Sequence, residues 1–310
     1  MKLIAEMWGE KIDFAIGEIN GICEGEELNC KIINVDYPVV ILEAEDYIPI
    51  KRAGLLRRLS KFIYSGSNIP ELGIELEDYA IRVRKNGNWK EREIIKSLAR
   101  GIEGNVNLEN PRNIVRVYAG KNLHVGLELY DFAEQSFESR RAKNLPISYP
   151  ITMHPRLARA MINLARVKKG ARILDPFCGT GSILIEGALI GMKMYGSDID
   201  ERMLKASQTN LKRFGLEAIL EKKDVGEIEG YYGAIVTDPP YGRSSSSMGE
   251  GIYKLYDRAF KKFSEVTSKV VIALPDEKSI KIGERYFELR EFYPYRVHKS
   301  LTRYFLYFHI

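Results

Sequence analysis

The six residues Thr237-Asp-Pro-Pro-Tyr-Gly242 gather a carboxylate, two prolines and an aromatic ring in one turn. The apolar run Gly233-Ala-Ile-Val236 before them is short enough to be a buried strand. Proline donates no backbone hydrogen bond and fixes its own φ, so no helix passes through Pro239 and Pro240. It also pushes the preceding residue into extended geometry, which makes Asp238 and Pro239 extended. Such a turn offers the Asp238 carboxylate and the Pro239 carbonyl as acceptors and the Tyr241 ring as a stacking face. Those groups suit a planar base that carries an exocyclic amine. Taken alone, the hexapeptide could equally be an ordinary surface turn.

Three more carboxylates upstream stand where strands should end. Ala171-Arg-Ile-Leu174 runs into Asp175-Pro-Phe-Cys-Gly-Thr-Gly181, and a helix should follow over Ser182-to-Gly191. Gly179 and Gly181 let a ligand approach the backbone, since no Cβ intrudes. The dinucleotide fingerprint wants a small residue at position 184, which is Leu184. The phosphate loop G-x-x-x-x-G-K-[ST] is absent. Asp175 fits a polyphosphate poorly and an ammonium group well, because like charges repel. Met194-Tyr-Gly-Ser197 leads to Asp198, a carboxylate placed to take the two hydroxyls of a ribose. Asp224 follows a strand expected at Ala218-to-Lys222 and could accept an adenine amine. Each acid could also be a cap or loop carboxylate. Four at successive strand ends argue for one site outside the carboxyl edge of a parallel sheet.

The elements that must position these residues begin at Lys169, where strands and helices alternate as in a doubly wound sheet. Ahead of it, Met153-to-Ala165 has helical spacing, with Pro155 in the first turn. Residues 143–150 read as a linker. Residues 1–55 read as a strand (Lys2-to-Trp8), a helix (Ile12-to-Cys23) and a strand pair broken at Asp36-Tyr-Pro38. Lys51-to-Lys61 is expected as a helix, with Leu55, Leu56, Leu59 and Ile63 on one stripe. Ala80-to-Arg84 alternates as a strand, Glu91-to-Ile102 is helical, and Asn113-to-Tyr118 with Leu123-to-Tyr130 forms a hairpin. Basic residues cluster in 51–61 and 82–100. Arg57, Arg58, Arg82 and Arg84 are the candidate contacts to a nucleic-acid backbone, with a solvated charge face as the plain alternative.

Composition narrows the classes further. A chain of 310 residues that is 45% apolar can bury a large core and divide into domains. No apolar stretch is long enough to span a membrane, and the opening residues lack a signal-peptide pattern. The three cysteines form no C-x-x-C, and their odd number argues against a disulfide framework. The four histidines show no metal-ligand spacing, so no metal is expected. A cytoplasmic protein is the expectation. The net charge of +5 lies entirely beyond residue 150, which allows an anionic partner.

Together, Asp175-Pro-Phe-Cys-Gly-Thr-Gly181, Gly196-Ser-Asp-Ile-Asp200 and Asp238-Pro-Pro-Tyr241 resemble a class I S-adenosylmethionine-dependent methyltransferase that acts on amines. The whole chain resembles the archaeal THUMP-domain tRNA (guanine-N2) methyltransferases that act on guanosine ten. The resemblance implies an α/β fold: a seven-stranded Rossmann-like sheet at 146–310 whose last strand is antiparallel. Lys269-to-Leu274, Tyr286-to-Val297 and Thr302-to-His309 would be its final strands. Before it would come a THUMP-like RNA-binding domain at 56–145 and a smaller α+β subdomain at 1–55. By the same resemblance S-adenosyl-L-methionine is the cofactor. Asp175, Phe177 and Gly179 would line its methionine end beside Gly181, while Asp198 holds the ribose and Asp224 the adenine. Asp238, Pro239, Pro240 and Tyr241 would grip the base. Cys178 is read as a packing residue and the run Ser244–Ser247 as a connector. tRNA is the implied partner, and relatives in this family can pair with a small zinc-binding activator subunit. Methylation of a DNA or other RNA amine, or of a protein glutamine, uses a similar turn. An RNA-binding protein with an inactive fold is the non-enzymatic alternative.

Overall fold

The computed structural model describes residues 1–149, 152–241, 251–298 and 301–310, apart from the side chains of 297, 298 and 301. The run Ser244–Ser247 lies outside the described residues. Two compact units result: Met1–Ala15 with Leu28–Lys51 and Leu56–Gln135, and Ile16–Glu27 with Arg52–Leu55 and Ser136–Ile310.

In chain order the first half contains β1 (Lys2–Met7), α1 (Ile12–Gly25), β2 (Cys30–Asp36), β3 (Val39–Ala44), β4 (Leu56–Gly66) and β5 (Ile74–Lys85). It continues with α2 (Glu91–Arg100), β6 (Ile102–Val106), β7 (Asn113–Ala119) and β8 (Leu123–Asp131). The strands of the first unit form one sheet in the order β2-β3-β1-β4-β8-β7-β5-β6. The boundary expected at 55–56 falls inside this sheet, because β1 pairs with β4 (Ala5 opposite Leu59). Helix α2 turns Ile94 and Leu98 inward onto Tyr79, Val115, Val117 and Val125. The hairpin expected at 113–130 is β7 and β8, antiparallel with Val117 opposite Val125.

The helix expected over Lys51-to-Lys61 is not there. Pro49–Arg52 is a short 3-10 turn and Leu56 begins β4. Its leucine stripe matched a helical period, but β4 is hydrogen-bonded on both sides, to β1 and to β8. Tertiary pairing overrides so weak a local preference. Cys178 is a buried free thiol.

The second half contains α3 (Pro155–Leu164), β9 (Arg172–Asp175), α4 (Ser182–Leu189), β10 (Lys193–Asp198), α5 (Glu201–Arg213), β11 (Ile219–Lys222) and β12 (Ala234–Thr237). After these come α6 (Ile252–Val266), β13 (Lys269–Leu274), α7 (Glu277–Gly283), β14 (Glu288–His298) and β15 (Leu301–His309). The seven strands are ordered β11-β10-β9-β12-β13-β15-β14. β9 to β13 are parallel where they pair, and the last strand, β15, runs antiparallel to both β13 and β14. The α6 side chains Phe260 and Phe263 pack with Val270, Ile272 and Phe308 of the sheet in the core. From β9 the chain winds outward to β10 and β11, then returns to β12 on the other flank of β9. The gap between β9 and β12 is thus the topological switch point, where such sheets bind ligands.

Candidate active site

Register brings the expected acids together. β9 ends at Asp175 and pairs with β12, which ends at Thr237. The loops bearing Gly179 and Asp238 therefore leave adjacent strands on the two sides of the switch point. A side-chain bond ties them: Thr237 donates its hydroxyl to Asp175 Oδ1 at 2.7 Å. On the other flank Gly196 of β10 lies opposite Asp175, which delivers Asp198 to the same edge. β11 pairs with β10 (Asp198 opposite Lys222) and leads to Asp224.

The glycine loop has the backbone its composition implies. Gly179 has φ +50° and Gly181 φ +86°, both left-handed, and a Cβ on Gly181 would lie 2.4 Å from Ser207 Oγ. The Gly179 N–H donates to Asp198 Oδ2 at 3.0 Å, and Asp200 N–H to Asp198 Oδ1 at 2.9 Å. Asp198 thus holds the loop in place. Helix α4, which follows the loop, is anchored by the buried Glu186, ion-paired to Arg140 and Arg159. Phe177 is partly buried against the core. Cys178 is 5% exposed. Burial, with Asp175 and Asp198 nearby, pushes its thiol well up, so it packs rather than attacks.

Asp175 is 2% exposed, and burial first, then the charges of Asp238 and Asp198, raises it to about 7. Burial also raises Asp198 and Asp238. Three carboxylates that resist ionisation together form a site suited to a cation. S-adenosyl-L-methionine, with its sulfonium and ammonium, matches that set, and the Cβ-free loop gives it room to approach. Asp224 is more committed than its sequence position suggests. It accepts from Gly226 N–H at 2.8 Å as the cap of the 3-10 turn Val225–Glu227, and it ion-pairs with Arg258.

The Asp238 turn is held from three directions. Tyr256 of α6 donates to the Pro240 carbonyl at 2.6 Å. Tyr241 donates its hydroxyl to Asp238. Arg303 of β15 places Nη1 3.4 Å from Asp238 Oδ2. No described residue donates to the Pro239 carbonyl, which leaves it open as an acceptor. Sequence reasoning missed Arg303, Tyr256 and Arg258, which lie outside the motifs on elements far along the chain, and it missed the bond from Thr237 to Asp175. The candidate backbone contacts fare differently. Arg57 is exposed and Arg82 donates to the Leu108 carbonyl. Arg58 and Arg84, however, both pair with Glu6, whose side chain is 2% exposed. These two arginines neutralise a buried carboxylate. Exposed Arg92, Lys96 and Arg100 of α2 lie at i, i+4 and i+8, on the face opposite Ile94 and Leu98, and make no ion pair among the described residues.

Comparison with known proteins shows the family. Residues 143–304 match the model described as the RMKL-like methyltransferase domain, a span that includes every acid of the site and Arg303. Residues 76–209 also match a model described as a DNA methylase, a span that stops short of Asp238. The tRNA (guanine(10)-N2)-dimethyltransferase of Pyrococcus abyssi is 33% identical over 97% of this chain and 97% of its own length. The chain belongs to this family. The family member of the same name from Methanothermobacter thermautotrophicus is 39% identical over 73% of this chain and 71% of its own length. Among solved structures, TrmN from Thermus thermophilus aligns over 100% of both chains at 17% identity with a TM-score of 0.55. SMU.472, a structure described as complexed with SAH, aligns over 98% of this chain and 97% of its own at 15% identity, TM-score 0.52. At such identities these two share the fold of the tRNA (guanine(10)-N2)-dimethyltransferase family. No helix among the described residues is long and apolar enough to cross a membrane.

Proposed function

We propose that this chain transfers methyl groups from S-adenosyl-L-methionine to the exocyclic N2 amine of guanosine 10 in tRNA, the reaction named for its relatives. The observation that carries the reading is the emergence of Asp175 and Asp238 from neighbouring parallel strands at the switch point, joined through Thr237. Cofactor and base would thus meet across one bond's width of protein. When bound, the cofactor supplies an electrophilic methyl group on a sulfonium. Asp175, Phe177, Gly179 and Gly181 receive the methionine end, Asp198 the ribose, and Asp224 with its cap the adenine.

The guanine N2 lone pair is delocalised into the ring, which makes the amine a poor nucleophile. Asp238 and the Pro239 carbonyl accept its two N–H bonds and favour a pyramidal nitrogen. As positive charge grows on that nitrogen, the Asp238 carboxylate stabilises it in a site with little water. Drawing the base from its stack costs a few kcal/mol, and stacking on Tyr241 returns ~1–3 kcal/mol. Pro240, fixed by Tyr256, holds the turn rigid. After the transfer the cationic nitrogen gives up one proton, to Asp238 and from there to solvent; it retains one N–H and can re-enter for a second methyl.

The N-terminal unit serves as the THUMP-like tRNA-binding part, with Arg57, Arg82 and the α2 row Arg92, Lys96 and Arg100 on phosphates. The setting is cytoplasmic. A small zinc-binding activator subunit belongs to this reading only if the purified chain fails to turn over alone. The test compares labelled methyl transfer from S-adenosyl-L-methionine to tRNA, duplex DNA and a glutamine peptide. Label should enter tRNA alone, and Asp238→Ala should retain cofactor binding while losing transfer. Label in DNA or peptide overturns the assignment.

A further inference from the structure

Arg303 does more than its ion pair requires. Its side chain is 9% exposed, and Nη1 lies 3.4 Å from Asp238 Oδ2. Its guanidinium carbon lies 5.3 Å from the centroid of the Tyr241 ring. Its Nε–H is buried with no hydrogen-bond partner among the described residues. A guanidinium carries five N–H donors in a fixed plane, and a buried donor left unpaired is costly. The site therefore holds an unused donor beside the carboxylate that receives the base.

We propose that Arg303 reads the O6 atom of the target guanine and so sets the enzyme's preference for guanine over adenine; this rests on the reaction proposed above. The edge of guanine presents N2–H and N1–H donors followed by the O6 acceptor. Cytosine complements it with two acceptors and one donor. A carboxylate with a guanidinium at its side offers the same sequence: two oxygens of Asp238, then an N–H of Arg303. Adenine presents an amine followed by the N1 lone pair, which would face a carboxylate oxygen and be repelled. Arginine is well suited to this task, since guanine acceptors are its commonest base partners. Asp238 and Arg303 both adjoin Tyr241, whose hydroxyl donates to Asp238 and whose ring lies under the Arg303 guanidinium.

The test is single-turnover methyl transfer to tRNA carrying either guanosine or 6-thioguanosine at the target nucleotide. The sulfur analogue keeps the N2 amine and N1–H and replaces the O6 acceptor by a larger and weaker one. Loss of a hydrogen bond to a charged group corresponds to roughly 10- to 100-fold in rate. Wild-type protein should slow by that factor on 6-thioguanosine. Arg303→Met should be slowed on guanosine by a similar factor and be nearly indifferent to the analogue. Equal wild-type rates on the two substrates overturn the proposal even if Arg303→Met does not fold. So does an Arg303→Met protein that keeps the full wild-type discrimination, the result of a merely structural role. Transfer by wild-type protein to a nucleotide other than guanosine overturns the reaction itself, a failure distinct from failure to read O6.

Discussion

Tyr241 donates its hydroxyl hydrogen bond to Asp238, the carboxylate of its own turn. In the free protein, an acceptor needed for a base amine is therefore already engaged. Substrate must displace that hydroxyl while keeping the ring as a stacking face. Tyr241→Phe should bind S-adenosyl-L-methionine normally and keep turnover within a few-fold. The hydroxyl and Arg303 both hold the buried Asp238 lower than burial alone would. Removing the hydroxyl raises Asp238, so the ionised form appears only at higher pH, and the acid limb of the rate–pH profile should move upward. An unmoved limb, or a phenylalanine protein as inactive as Tyr241→Ala, contradicts this role.

Asp175 gives a second pH dependence. Its folded value of about 7 stands above its ordinary 3.8. Between those values the folded chain keeps a proton that the unfolded chain has lost, so stability of the free protein falls as pH rises from about 4 to about 7. At ~1.4 kcal/mol per unit, the full effect is at most about 4 kcal/mol. A cationic cofactor prefers the ionised carboxylate, so its affinity should rise over the same window and binding should release a proton. Calorimetric titration from pH 5.5 to 7 in two buffers of different ionisation enthalpy measures both. Asp175→Asn should flatten the two trends; a wild-type affinity independent of pH would remove Asp175 from the ammonium end.

The basic residues divide by structural role. Arg92, Lys96 and Arg100 changed together to Gln should weaken binding of many RNAs alike. The triple change should make the log–log salt dependence shallower by up to about 2–3 units, at ~0.7–0.9 per lost phosphate contact. Arg58 and Arg84 changed together to Ala should instead destabilise the fold by about 3–5 kcal/mol, because Glu6 is left as an uncompensated buried charge. Filter binding at several salt concentrations and thermal melts separate the two. Parallel salt lines with equal intercepts for the α2 variant would count against its phosphate role.

What could be read from the sequence follows from which forces are local. β9, β12 and β13 are short, largely buried apolar runs and β10 ends in the motif Gly196-Ser-Asp198, so their ends and acids were visible without a structure. β4 was not, since its leucines fit a helical stripe and only pairing with β1 and β8 makes it a strand. Arg58 and Arg84 looked like free cations because their partner, Glu6, comes from a distant strand. Arg303 was invisible for the same reason: its meaning lies in the antiparallel β15 folding back beside β13, near Asp238. The link between Thr237 and Asp175 likewise exists only once β12 lies against β9.

Gly181 tests the loop itself. Alanine there meets a left-handed φ and a Cβ only 2.4 Å from Ser207 Oγ. The left-handed backbone alone costs about 1–2 kcal/mol, and the clash must turn the Ser207 hydroxyl away or shift the loop. Gly181→Ala should therefore lower the melting temperature modestly and weaken S-adenosyl-L-methionine binding at least tenfold. Gly181→Ala with Ser207→Gly should recover part of the affinity, since the clash is then relieved. No recovery in the double variant would show that strain alone governs the position.

The central claim is methylation of one exocyclic amine, and the product can be weighed. A tRNA transcript incubated with the purified chain and S-adenosyl-L-methionine is digested and its nucleosides and fragments are measured by mass spectrometry. N2-methylguanosine and N2,N2-dimethylguanosine should appear in the fragment holding guanosine 10, the position named for the relatives, and should vanish when that guanosine is replaced by adenosine. A methyl group on adenosine or cytidine, or an unchanged yield from the replaced transcript, would contradict the assignment of Asp238 and its turn to the guanine amine.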